Sequence, residues 1–247
     1  MTDTGRVRGT PHEIALLAGG PRAAVTVAVV ALHLRGAVEA GAPGTIRAVD
    51  GEAGRALPPL PPPGVSLDVA AEVAVGRVDA LTGEVRALYL ESAVHRCLAE
   101  PSDLRELLRH PDVRWALAEV RVGLAEAGML RAVPLRAVPL RPTRAARRRV
   151  GVLRKAFPVP SSRHALSDDR KLLAVALHGE PALRVLVPRF ALRAGLTERV
   201  RIRGKGLRRS PGGGAYGGGG APFGHGGGGC GGGGGCGGGG GCGGGGG

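Results

Sequence analysis

Cys230, Cys236 and Cys242 recur every six residues, separated each time by five glycines, and His225 lies just ahead of them. Thiolate sulfur and imidazole nitrogen are donors for borderline metals, so these four side chains make up a Cys3His set, a composition that suits structural zinc. The spacing works against it. Structural zinc ligands commonly stand two to four residues apart on a turn held by a folded neighbour. Ordering a glycine spacer costs roughly 1–2 kcal/mol per residue and brings no apolar packing to offset the cost. The expectation for residues 211–247 is therefore a disordered Gly/Cys-rich tail with no fixed partner. Zinc binding and a modification or redox role are its alternatives.

The fourth cysteine, Cys97, lies on the apolar stripe of a predicted helix and reads as a small buried hydrophobe rather than a nucleophile. Gly19-Gly20 precedes Pro21, whose missing N–H weakens any phosphate-cradling loop. Asp168-Asp169 falls at a predicted helix start, where acidic residues are expected on dipole grounds, and His12-Glu13 reads the same way. His164 and His178 lack a metal-spaced partner. No catalytic residue and no bound cofactor are expected.

Charge is the stronger signal. Of 34 basic residues 31 are arginine, a skew that a high-GC genome itself promotes, and the formal net charge is +14. It is unevenly placed: residues 1–126 carry a net −3, whereas residues 127–163 hold ten basic and no acidic side chains. Arg144, Arg147, Arg148, Arg149, Arg154 and Lys155 are the candidate contacts to an anionic surface, either lipid headgroups or a nucleic-acid backbone. The polar residues 1–10 show no signal peptide. The longest apolar run, 23–34, is shorter than the roughly 20 residues that a membrane span needs. A cytoplasmic protein, peripheral at the inner membrane face if attached at all, is the expectation.

The elements that would position these residues read as mainly α. Six aromatic residues in the whole chain leave a core of Ala, Val and Leu, which suits close-packed helices. Residues 12–18 and 22–34 read as two helices around Gly19-Gly20-Pro21, followed by short strands at 37–40 and 45–49. That is the order of a winged-helix-like unit, over residues 12–51. Its second helix is too apolar to read base edges, so nucleic acid would be held through phosphate alone. Residues 57–64 (LPPLPPPG) form a stiff spacer. A three-helix unit follows at 81–132. Its first helix carries a stripe of Leu81, Val85, Leu88, Tyr89, Ala93 and Cys97, its second is capped by Ser102, and its third runs from Pro111 to Gly128. Val133-Pro134-Leu135-Arg136 repeats at 138–141, so residues 133–166 read as a basic extended linker. A short helical block, 167–195, is capped by Ser167, interrupted at Gly179 and ended or kinked by Pro188.

Two helix ends look alike at an offset of 92 residues: Val25, Leu32, Gly36, Ala37 and Val38 match Leu117, Leu124, Gly128, Met129 and Leu130. Internal duplication explains this, and so does the demand that any helix–Gly–strand corner makes on its residues.

Residues 13–25 (EIALLAGGPRAAV), the helix ending in Gly128-Met129-Leu130, residues 173–179 (LAVALHG) and the Gly/Cys tail together resemble an uncharacterised actinobacterial family of predicted membrane proteins. The resemblance implies association with a membrane and supplies no mechanism. The family's amino-terminal membrane segment is not seen ahead of the first block, and Arg144 to Pro160 stand where its hydrophobic hairpin falls. The reading that results is a non-enzymatic partner-binding or scaffolding protein. A basic, sequence-nonspecific nucleic-acid binder and a metal- or redox-responsive protein acting through its tail are the alternatives.

Overall fold

The computed structural model describes residues 9–61, 83–131, 141–163 and 166–197, which fall within one compact unit. The chain is mainly helical: among the described residues there are nine helices and two small antiparallel sheets.

Helix α1 (Pro11–Leu34) begins on a capping box, in which Thr10 accepts from the Glu13 amide and Glu13 accepts from the Thr10 amide. At Gly20 (φ 76°) the helix kinks, and Pro21 starts the second half in the one place where its missing N–H costs nothing. Residues Ala24 to Leu32 are then buried without interruption. An apolar helix with no polar stripe is one covered on all sides. Here the cover comes from helices α3 (Gly83–Cys97), α4 (Leu104–Arg109), α5 (Pro111–Glu126), α6 (Arg144–Ala156) and α7 (Asp168–His178). By length and composition α1 could cross a membrane; most of its apolar window is buried inside the protein.

Strands β1 (Val38–Ala40) and β2 (Ile46–Ala48) pair with Val38 opposite Ala48, and Ser102 adds a bridge to Ile46. A short α2 (Glu52–Arg55), not expected from local pattern, follows. Strands β3 (Leu130–Arg131) and β4 (Arg141–Pro142) form the second hairpin. After α7, Gly179 (φ 61°) turns the chain into α8 (Glu180–Leu186), and Val187 breaks the helix before α9 (Pro188–Arg193), as Pro188 requires. The end of α9 closes over the β1–β2 turn, where the Gly44 amide donates to the Arg193 carbonyl at 2.7 Å.

Four expectations need correction. Residues 133–166 are not an extended linker throughout: 144–156 form α6. The prolines that stiffen the preceding repeat stop at Pro142, Thr143 supplies the cap, and outside Val150-Gly151-Val152 the segment RAARRRVGVLRKA is Arg, Ala, Leu and Lys, all good helix formers. Ala146 and Val150 bury at helical spacing. Ser102 is not a cap; it is spent on the bridge to Ile46, and Asp103 caps α4 by accepting from the Arg105 and Glu106 amides. On α3 Tyr89 and Ala93 of the expected stripe are buried, but Leu88 is exposed, and the inward face also takes in Ala87, Leu90 and Val94 and runs on to Leu98. The segments read as separate units share one core that runs from Ile14 to Leu196. The short apolar faces of α3, α5 and α7 are all buried against the same central helix, which none could cover alone. Leu81, the spacer from residue 62, most of the proline repeat, the basic residues 199–209 and the Gly/Cys tail lie outside the described residues.

Candidate functional site

Helix α6 carries all six candidate anionic-surface residues on a folded element. Turning 100° per residue from Ala146 and Val150, which face the core, leaves Arg144, Arg147, Arg148, Arg154 and Lys155 exposed, with Val152 at 65% exposure among them. Two of the six have other engagements. Arg149 is half-buried and lines a small pocket with Glu13, and Arg154 donates from Nε to the Leu177 carbonyl at 2.8 Å. Arg147 donates to the Pro142 carbonyl at 3.3 Å. Among the described residues no carboxylate pairs with any of the six. At the start of α6, Arg131, Arg144 and Arg147 line a cavity of about 350 Å³ with Pro142 and Thr143, and no acidic side chain enters it. Unpaired helix N–H groups and three guanidiniums give that cavity a positive potential.

A second polar group is built into the core. Glu91, on the buried face of α3, accepts from Arg35 at the end of α1, and His12 Nε2 lies 3.2 Å from its other oxygen. Burial pushes the Glu91 carboxyl up, but His12 and Arg35 outweigh it and hold the group below its ordinary value. Both ring nitrogens of His12 are buried and neither meets hydrogen-bond geometry among the described residues, so its tie to Glu91 is one of charge and proximity. Five residues earlier on α3, Arg86 is equally buried and donates to Glu126 at 2.9 Å. Gly123 makes room for it: a Cβ there would come within 2.2 Å of the Arg86 guanidinium. Neither pair was foreseen. Their partners lie 40 to 79 residues apart, so no local spacing could reveal them.

A third cluster joins the end of α3 to the start of α5. One donor atom each from Cys97, His110 and Asp112 lies within 4.8 Å of the others. His110 caps α5, with Nδ1 accepting from the Asp112 amide at 3.3 Å, and Arg96 Nε is 3.4 Å from Asp112 Oδ2. Burial and then the Asp112 carboxylate push the Cys97 thiol up to about 12, while Arg96 acts weakly against them. Cys97 is half-buried rather than fully buried as its apolar stripe suggested, and its surroundings disfavour the thiolate. That His110 and Asp112 join it was not anticipated; the only cue was a His-Pro-Asp helix start. The sequence-derived set Cys230, Cys236, Cys242 and His225 lies outside the described residues.

In the second half of α1, which a winged-helix reading would send into a DNA groove, Ala24 to Leu32 are enclosed and Arg22 is the one exposed polar side chain, too little to read base edges. No protein-family model, curated protein or solved structure matches the chain.

Proposed function

We propose that this is a non-enzymatic partner-binding or scaffolding protein that docks on an anionic membrane surface through α6. The observation that carries the reading is the uncompensated charge of that helix: five exposed basic side chains, of which Arg154 alone is tied to a backbone carbonyl of α7, and no carboxylate partner among the described residues. Two features favour lipid over nucleic acid. Val152 stands exposed within the basic face, where a headgroup layer accepts an apolar side chain and a phosphate backbone does not. The cavity of Arg131, Arg144 and Arg147 has the size and charge to seat a single anionic headgroup. The resemblance to predicted membrane proteins points the same way.

Basic residues near anionic lipid contribute about 1 kcal/mol each, so Arg144, Arg147, Arg148 and Lys155 together supply roughly a thousandfold in affinity at low salt. Co-sedimentation of the full chain with phosphatidylserine vesicles is expected to exceed that with phosphatidylcholine vesicles and to fall as salt is raised. Replacing the four residues by Gln should remove most of the binding. Unchanged binding by that variant, or equal binding to neutral vesicles, defeats the reading. Tighter binding to duplex DNA than to vesicles at equal salt would favour the nucleic-acid alternative.

A further inference from the structure

We infer that Cys97, His110 and Asp112 form a binding site for a zinc-class divalent cation, stapling the end of α3 to the start of α5. The donors are one thiol sulfur, one imidazole nitrogen and one carboxylate oxygen, mutually within 4.8 Å, so small side-chain adjustments bring all three onto one ion. That donor set selects zinc or a similar borderline metal. Magnesium and calcium prefer all-oxygen shells, and a thiolate is a poor ligand for either. Three protein ligands leave one tetrahedral position for water.

Preorganisation separates this site from the cysteines of the tail. Cys97 ends a 15-residue helix, and His110 and Asp112 occupy the cap and first turn of a 16-residue one. Folding has already fixed their backbones, so the metal orders only three side chains. A glycine-spaced set must order the chain between its ligands as well. Charge also balances. Coordination sends the Cys97 proton to solvent, and thiolate, carboxylate and dication then sum to zero in a half-buried place that disfavours a lone thiolate.

Two existing ties would yield. The bond from the Asp112 amide to His110 Nδ1 is long at 3.3 Å, and Arg96, with its side chain 64% exposed, is free to turn from Asp112 to solvent. The approach is open too, since the His110 side chain is itself 42% exposed.

The test uses the full chain carrying Cys230→Ser, Cys236→Ser and Cys242→Ser, which leaves Cys97 as its only cysteine. Titration with cobalt(II) under a phosphine reductant should give a thiolate-to-cobalt charge-transfer band saturating at one equivalent, and zinc should displace it. Cys97→Ser in that chain abolishes the band. Loss of even an outer-shell partner weakens metal sites 10–100-fold, so His110→Ala and Asp112→Asn should each weaken binding by about tenfold or more. Circular dichroism of each metal-free variant establishes that it is folded. Absence of the band overturns the site, and so does a band indifferent to both His110→Ala and Asp112→Asn, which would mark a cysteine acting alone.

Discussion

The molecule turns the same corner twice and uses it differently. At the end of α1 and again at the end of α5, a glycine of positive φ follows the helix, Gly36 (76°) and Gly128 (66°). The amide after each glycine reaches back to a leucine carbonyl, Ala37 to Leu32 and Met129 to Leu124, both at 2.8 Å. Each corner leads into a short hairpin, and each is tied to α3 by an arginine–glutamate pair of opposite polarity. In the first, the buried partner is the carboxylate Glu91 and the outer one is Arg35; in the second, Arg86 is buried and Glu126 is exposed. The difference lies in what the helix before the corner does. Residues Ala24 to Leu32 of α1 are enclosed on every side, while α5 keeps an outer face with Arg114, Val122 and Ala125 exposed. Corner geometry is therefore local, and centrality is assigned by what packs around it. The end of α9 supports this: after Gly195 (φ 68°) the Leu196 amide reaches back to the Ala191 carbonyl at 2.9 Å in the same way, outside the two matched segments, so the corner alone is no sign of duplication.

The sharpest way to break the comparison is to excavate each corner. Leu32→Ala removes a fully buried side chain from the central helix and should cost about 2–5 kcal/mol, toward the upper end because neighbours on all sides cannot collapse together. Leu124→Ala, at the edge of the core, should fall in the lower half of that range. Equal losses in denaturant midpoint would show that the two helices are equivalent in the core. Unchanged stability for Leu32→Ala would remove α1 from the core altogether.

A smaller effect separates the two ion pairs. Because Glu91 is held below its ordinary value in the fold, its contribution is fully present above the usual carboxylate range, about pH 4.3, and is lost as pH falls through the lowered folded value. Glu91→Gln should cost about 1–3 kcal/mol at neutral pH by taking an ionised acceptor from Arg35 and His12. It should also flatten the acid limb of the stability curve. Glu126→Gln, on an exposed partner, should leave that limb in place. An acid limb that survives Glu91→Gln intact would assign the acid sensitivity to other carboxylates.

The smallest effects sharpen the local half of the comparison. Gly36→Ala and Gly128→Ala meet open space and should each cost about 1 kcal/mol from left-handed backbone strain alone, by the same amount in both corners. Gly195→Ala should cost more, because its Cβ would also come 3.1 Å from the Gly44 backbone. Melting temperatures that rank Gly195→Ala level with or above the other two would contradict that close approach.

Much of the local structure was legible beforehand. The kink at Gly20-Pro21, the caps at Ser167 and Gly179, the break before Pro188 and the two hairpin corners all follow from residues within one or two turns of each other. These are statements about φ, missing donors and caps, which neighbours in sequence settle. Helix α6 was also written locally, in the Thr143 cap and the spacing of Ala146 and Val150, but arginine density and the proline repeat beside it drew the reading toward a linker. The candidate site divides the same way. The six basic residues were visible as a run, yet that five project and Arg149 alone is half-buried depends on the face that α1 and α7 cover.

What the sequence by itself determined is the helical class, the punctuation of its elements and the placement of positive charge, because propensity, capping and formal charge belong to single residues and short windows. Only the tertiary structure decided that one helix stands at the centre and that Glu91 meets Arg35 and His12. It also decided that Cys97 comes beside His110 and Asp112. Those meetings are set by how apolar faces of limited area find enough cover, and no short stretch of chain contains that information.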